Sequence, residues 1–329
     1  MVLRSNYTIR TKAICGKVVA GQALRKALTM VVVAAAIVGL ASAPADAKKA
    51  KYKEIKVDNG GTIKGVAKWK GEIPKLPPIR VFKHMDKCGQ EVLNPALMVD
   101  PNNKGVKHVA VYIKEIAEGK AIPPKKPKLK RDTTYPDGAS MILHAGQDTE
   151  QRPESLLCNF EEHVWATVRT RRVGMYNLED LLHNPHAFKS QGYEDGAATL
   201  FNFPLPDRNR LVKKKIKRVV GLNRYQCDTH IHMNGWIFGF DHPYFAVTDK
   251  TGAYSIKDIP PGKYTVVGWH EGYNLTGFAA DNRPIYDEHH VIEQEVEIKG
   301  GDTVELNFEF PTREVKINFI KAERTVEGH

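Results

Sequence analysis

Cysteine is scarce in this chain, with four among 329 residues, and none stands in the C-x-x-C-H order that attaches a c-type haem. There is no recognisable Ser/His/Asp triad motif and no paired-carboxylate pattern. The chain is therefore not expected to be an enzyme by itself. No internal repeat of fixed period occurs, and no long amphipathic helical pattern follows residue 47. Runs of alternating apolar and polar residues dominate instead, so the expected fold class is all-β. The net charge of +11 lacks any accompanying nucleic-acid motif, which argues against a nucleic-acid partner.

What is present begins with a targeting segment. Arg4, Arg10, Lys12, Lys17, Arg25 and Lys26 precede an apolar run at 27–40, and Ala45, Asp46 and Ala47 form an A-x-A site. That order reads as a bacterial Sec-type signal peptide over 1–47, giving a periplasmic or secreted product. The apolar run is shorter than the ~20 residues that span a bilayer, so no stable membrane insertion is expected after cleavage. Cleavage would remove six basic residues and one acid, leaving a net charge of +6. Much of that charge lies in two runs, 122–131 and 213–218. They read as solvated loops and strand edges, or as a surface that orients an acidic partner.

With Cys15 gone, Cys88, Cys158 and Cys227 remain. An odd number in an oxidising compartment leaves one thiol unpaired or metal-bound. Parity leads us to expect a Cys88–Cys158 disulfide, which leaves Cys227. Residues 48–56 read as a charged linker. Strands are expected at 62–70, 106–114, 164–170 and 236–240, with a Pro-rich surface excursion at 117–140.

Cys227, His230 and Met233 stand in the order C-x2-H-x2-M, a thiolate, an imidazole and a thioether on one tight loop. A single short loop cannot close a metal shell, so the second imidazole must come from another strand, and His183 can supply it. One Cys, two His and a weakly held Met is the ligand set of a blue-copper centre, whose geometry compromises between the two copper oxidation states. The rival is a zinc site of Cys227, His230, His183 and His232, with Met233 only a core residue.

This pattern resembles the cupredoxins, with the short ligand loop of the amicyanin type. Asn177, Asp180, His183, Asn184 and His186 resemble the N-x-x-D-x-x-H-N-x-H segment of exported cupredoxin-like proteins, some of them methylamine-utilisation proteins. Cys158, Phe160 and His163 resemble their C-x-F-x-P-H segment, with Glu162 in place of proline, and the 168–173 run is more basic than the usual strand. The resemblance implies a Greek-key β-sandwich over 57–240. It also implies one type 1 copper ion on His183, Cys227, His230 and Met233, with Asn184 tying the His strand to the Cys loop. The function so implied is single-electron transfer with a redox protein such as a c-type cytochrome or a dehydrogenase. The solvent-side imidazole is expected to be His230, with 213–218 orienting an acidic partner. His186 is expected beside the site or at the surface, and His84, His289 and His290 as surface or packing residues.

From Asp249, the signature D-x-x-G-x-Y-x-I followed by P-P-G-x-Y resembles the carboxypeptidase regulatory-like, transthyretin-like sandwich. Tyr254, Ile256, Tyr264 and Val266 should alternate inward. That second domain is placed at 241–313, with a tail at 314–329. Such a sandwich says little about function. The cluster Trp269, His270, Glu271 is expected to be structural. The alternatives to electron transfer are an extracellular module that binds carbohydrate or protein and carries a structural or vestigial metal site, and a copper storage or delivery protein.

Overall fold

The computed structural model describes residues 51–122, 141–145, 158–168, 172–190, 197–208 and 210–313. The chain divides into Met1–Lys48 and Lys49–His329, and only the second unit is described below. The expected signal peptide, the C-terminal tail and the basic residues 123–131 lie outside the described residues. Among the described residues no helix is long and apolar enough to cross a membrane. The protein is almost all β, as expected. Among the described residues its α-helical element is the four-residue Met85–Cys88 turn.

Two pairs of sheets enclose two separate cores. In the first pair, a five-stranded sheet runs in the order Thr199–Asn202, Pro185–Phe188, Gly221–Cys227, Asn234–Phe240 and Val164–Val168. A three-stranded sheet of Leu211–Lys215, Arg172–Asn177 and Met141–Ala145 accompanies it. Phe160, Val173, Met175, Phe201, Phe203, Tyr225, Cys227, Met233 and Ile237 form the core of this half. The Asn234–Phe240 strand is apolar on both faces because both are covered. Ile237 points into that core, whereas Trp236 and Phe238 pack against Trp269 and Ala110 of the other half. Gly235 is required there, since a Cβ would meet the Tyr225 ring at 2.5 Å.

The second pair overturns the expected boundary at 240. Ala110–Ile113 sits between Phe245–Val247 and Gly262–His270, with His290–Ile298 beyond. Gly61–Lys70 pairs with Ala253–Ile259, Thr303–Glu305 and Phe308–Pro311. The strands at 61–70 and 110–113 thus belong with residues 245–311, and the sheets that carry Cys227 and His183 are inserted between them in sequence. Alternation alone cannot tell which sheet a strand joins, and both strands pair with residues far downstream. Residues 51–56 are not a free linker either. Tyr52 is buried, its hydroxyl donates to the Lys120 carbonyl at 2.7 Å, and Lys53–Glu54 pairs with Glu118–Gly119.

The 249–266 signature folds as its residues require. The Asp249 carboxylate accepts from the backbone N–H of Thr251 at 2.8 Å and of Ala253 at 3.0 Å, and Gly252 takes φ +78°. Tyr254, Ile256 and Val266 are buried and Tyr264 is half-buried, so the expected alternation holds. The Pro260-Pro261-Gly262 turn then carries the chain from one sheet to the other.

The two halves meet through polar groups as well as aromatics. Glu271 accepts from the Trp236 indole N–H at 2.7 Å and pairs with His163, whose Nδ1 donates to the Asn234 carbonyl at 3.0 Å. Glu271 is structural, as expected, but it serves the join between the halves.

Cys88 and Cys158 are disulfide-bonded with Cα atoms 5.6 Å apart, and Cys227 is free and buried. Mass spectrometry of unreduced, metal-free protein lacking residues 1–47 is expected to show one intramolecular bond and one alkylatable thiol. The bond closes a loop of 70 residues, so a Cys88→Ala/Cys158→Ala variant should lose about 4 kcal/mol of stability in denaturant titration.

Burial pushes the His290 pKa down to about 4, and burial likewise lowers those of His108 and His270. The unfolded chain therefore binds protons first as pH falls below the ordinary histidine value of about 6.5. Stability held in full above that value is lost on acidification toward 4. The melting temperature should fall by about 10 °C between pH 7 and 4.5, and His290→Gln should flatten part of that slope.

Candidate metal centre

The Gly221–Cys227 and Asn234–Phe240 strands form an antiparallel pair whose last register is Gln226 with Asn234. The connecting turn is closed by the Cys227 N–H donating to the Met233 carbonyl and the Met233 N–H donating to the His230 carbonyl, both at 3.0 Å. This holds Cys227, His230 and Met233 at one end of the sheet. Met233 is fully buried in the same core as Cys227.

His183 arrives from a separate segment that Asn177 shapes. The Asn177 side-chain amide donates to the Leu181 carbonyl at 2.6 Å and the Leu205 carbonyl at 2.8 Å, and its oxygen accepts from the Glu179 N–H at 3.0 Å. His183 then bridges to Leu205 through backbone hydrogen bonds of 3.2 and 2.7 Å. These contacts give the N-x-x-D-x-x-H segment its physical meaning. Asp180 lies at the surface 3.5 Å from Arg208.

Each of His183, Cys227 and His230 offers a ligand atom within 4.8 Å of the others, and all three residues are buried. The His183 Nε2 lies 3.1 Å from the Glu179 carboxylate, which leaves Nδ1 buried with no hydrogen-bond partner. His230 presents its own Nδ1 3.7 Å from the Cys227 sulfur. Two imidazole nitrogens and a sulfur thus face one space, with an orphaned buried nitrogen among them. An orphan of this kind is costly unless an ion completes it.

The protonation states fit the same arrangement. Burial opposes ionisation of the Cys227 thiol, but the neighbouring His183 and the N–H of Asn184, 3.2 Å from the sulfur, outweigh it and lower the pKa. For His183, burial is outweighed by Cys227 and Glu179, raising its pKa to about 9. Burial, reinforced by the charge of His183, takes His230 down to about 3. The expected role of Asn184 has a counterpart here. Its side chain reaches the Asp228 carboxylate at 3.4 Å, and its carbonyl accepts from the Asp228 N–H at 2.9 Å. His186 holds the same carboxylate at 2.9 Å.

His232 does not join the group. Its Nε2 donates to the Cys158 carbonyl at 2.9 Å. His230 also departs from expectation. Although it lies on the ligand loop, it is 1% exposed, because His84 covers it with Nδ1 2.9 Å from the His230 Nε2. Sequence reasoning missed three further residues. Glu179 carried a usable signal, a carboxylate four residues before a ligand histidine. His84 and Arg283 carried none, being far from the loop in sequence. Arg283 is buried, and its guanidinium donates to the Cys227 carbonyl at 2.8 Å, the Ile231 carbonyl at 3.0 Å and Asp281 at 2.6 Å. It clamps the ligand loop from the second half of the protein.

No protein-family model matches the chain, and no curated protein matches it. Solved structures that resemble parts of it include a purple cupredoxin from Nitrosopumilus maritimus, 16% identical, over 30% of this chain and 99% of that one, TM-score 0.23. Another is an amicyanin variant in its reduced state, 19% identical, over 36% and 97%, TM-score 0.23. A Sinorhizobium pseudoazurin is 20% identical over 31% and 73%, TM-score 0.21. Likenesses this low carry no argument about activity, so the site is read from its own geometry.

Arg283→Met would leave two buried carbonyls without a donor and free the loop between Cys227 and Met233. The metal-loaded variant should lose its ion to a chelator about tenfold faster than the parent. Arg283→Lys, which keeps one charged donor, should fall between the two.

Proposed function

We propose that this protein is an exported mononuclear copper protein that carries single electrons. The observation that carries the reading is the pairing of nitrogens. Glu179 and His84 hold the two outer imidazole nitrogens, so both Nδ1 atoms face the Cys227 sulfur in a buried space. That arrangement fixes the tautomers a metal requires. Two nitrogens and one thiolate, with Met233 buried on the same loop, suit copper better than zinc. His232 is the extra imidazole that the zinc alternative needs, and its absence from the converging group of His183, Cys227 and His230 weighs against that alternative.

In this reading Cys227, His183, His230 and Met233 would hold the ion, the thiolate and imidazoles strongly and the thioether weakly. Copper bound there supplies a one-electron couple. The chain's contribution is rigidity: the Asn184 N–H steadies the thiolate, Arg283 holds the loop, and the buried core keeps water away. The Cys88–Cys158 disulfide supports an oxidising compartment, in keeping with the basic, apolar and A-x-A order of 1–47.

Copper-reconstituted, oxidised protein should show an intense thiolate-to-copper charge-transfer band. Met233→Leu is expected to keep the metal and most of the colour while raising the potential, because a lost donor destabilises the oxidised state. Cys227→Ser should abolish the band, and His183→Ala should open the site to added imidazole. If Met233→Leu changes neither spectrum nor potential while His232→Ala destroys the site, the ligand set is a different one.

A further inference from the structure

We propose that electrons enter and leave through His84, and that the 82–87 segment around it docks an acidic protein partner. This rests on the copper reading above and adds to it a route and a surface.

The ligand His230 has no exit of its own, being 1% exposed. Its Nδ1 faces the sulfur, so its Nε2–H donates to the His84 Nδ1 at 2.9 Å, and the exposed His84 ring continues to solvent. Two imidazoles joined by one hydrogen bond thus span the distance from the buried space to the surface. With copper bound, the electron given up by a reduced partner would be gained by copper(II), with no bond broken and no proton transferred.

The segment is built to hold that ring in place. His84 adopts φ +55°, a left-handed conformation unusual for a residue with a Cβ, and its carbonyl accepts from the N–H of Lys87 at 2.9 Å and Cys88 at 2.8 Å. Cys88 is bonded to Cys158. The Cys158 carbonyl accepts from His232 on the ligand loop, and its N–H donates to Glu179, which holds His183. The disulfide therefore ties the His84 turn to both sides of the centre.

The surroundings point to the partner's chemistry. Phe82 is 49% and Met85 53% exposed, large apolar side chains flanking the exit. Arg80, Lys83 and Lys87 surround them against two carboxylates, Asp86 and Glu91, the latter opposite Arg80 in the strand pair, all of them exposed. An apolar centre in a basic rim fits a protein whose own apolar contact is ringed by carboxylates. The 213–218 run starts on the edge strand Leu211–Lys215 of the other sheet. No hydrogen bond or ion pair found among the described residues links that strand to a ligand.

The test is stopped-flow oxidation of the copper(I) form of the full chain by hexacyanoferrate(III), an anionic one-electron acceptor. His84→Leu, which keeps the cover but removes the bridge, should react about tenfold more slowly once potentials are matched. Lys83→Glu/Lys87→Glu should slow the reaction at low salt and not at high salt. Lys213→Glu/Lys214→Glu/Lys215→Glu should leave it unchanged. Equal rates for His84→Leu and the parent overturn the route. A salt-dependent effect confined to the 213–215 variant overturns the surface. A parent chain that takes up no copper and shows no charge-transfer band overturns the copper reading itself. The surface is then decided on metal-free protein titrated with a polyglutamate peptide. NMR shifts centred on 82–87 support it, and shifts centred on 211–218 refute it.

Discussion

Burying a thiolate beside two imidazoles is costly, because each loses its water and none can be left partly satisfied. Much of the structure answers that single constraint. The sulfur receives the Asn184 N–H, His183 leans on Glu179, and His230 leans on His84. Each outer contact is held in turn, Glu179 by the N–H of Cys158 on its carboxylate and by its own N–H donating to the Asn177 side-chain oxygen, and His84 by the disulfide-anchored helical turn. Among the atoms left without a partner is the His183 Nδ1, on the side of the shared space where an ion would sit.

The second half of the protein is part of the same arrangement. Strand 234–240 leaves the ligand loop and immediately packs Trp236 and Phe238 against Trp269, at 5.9 and 4.9 Å between ring centres. Glu271 anchors that indole, and Arg283 grips the two loop carbonyls. An independently tethered domain would leave the short loop to set its own geometry. Here the loop is pressed between its own core and a neighbouring sandwich whose first strands precede it in the chain, so its conformation is over-determined. For a centre that exchanges electrons, such rigidity keeps rearrangement between oxidation states small.

Local chemistry was legible and long-range contact was not. Cys227, His230 and Met233 share a turn, and three residues at fixed spacing announce it without tertiary knowledge. His183 was legible because its own segment carries Asn177 and Asn184 at telling intervals. Parity identified Cys88 with Cys158. By contrast, the strands 61–70 and 110–113 have the right alternation but carry no mark of which sheet receives them, and they join residues far downstream. Tyr52 looked like linker because its neighbours are lysines, yet one aromatic ring suffices to seat the segment. The expected exposure of His230 failed for the same reason. An exposed loop in sequence terms is buried once a residue nearly 150 positions earlier lies over it.

That covering residue changes how the surface is to be understood. A ligand imidazole open to solvent would admit any small reagent and any partner that reaches it. With His84 above it, access is confined to one ring on a turn fixed by Cys88, and the side chains beside that ring set what can approach. Phe82 and Met85 favour a dry contact, and Lys83 and Lys87 disfavour a basic one. On the proposed route, selectivity would reside in a segment separate from the candidate ligands. The exposed side chains at 80, 82, 83 and 85–87 could then vary to suit a different partner, while His84, Cys88 and the buried Val81 stay fixed. The disulfide is what keeps such variation from loosening the site.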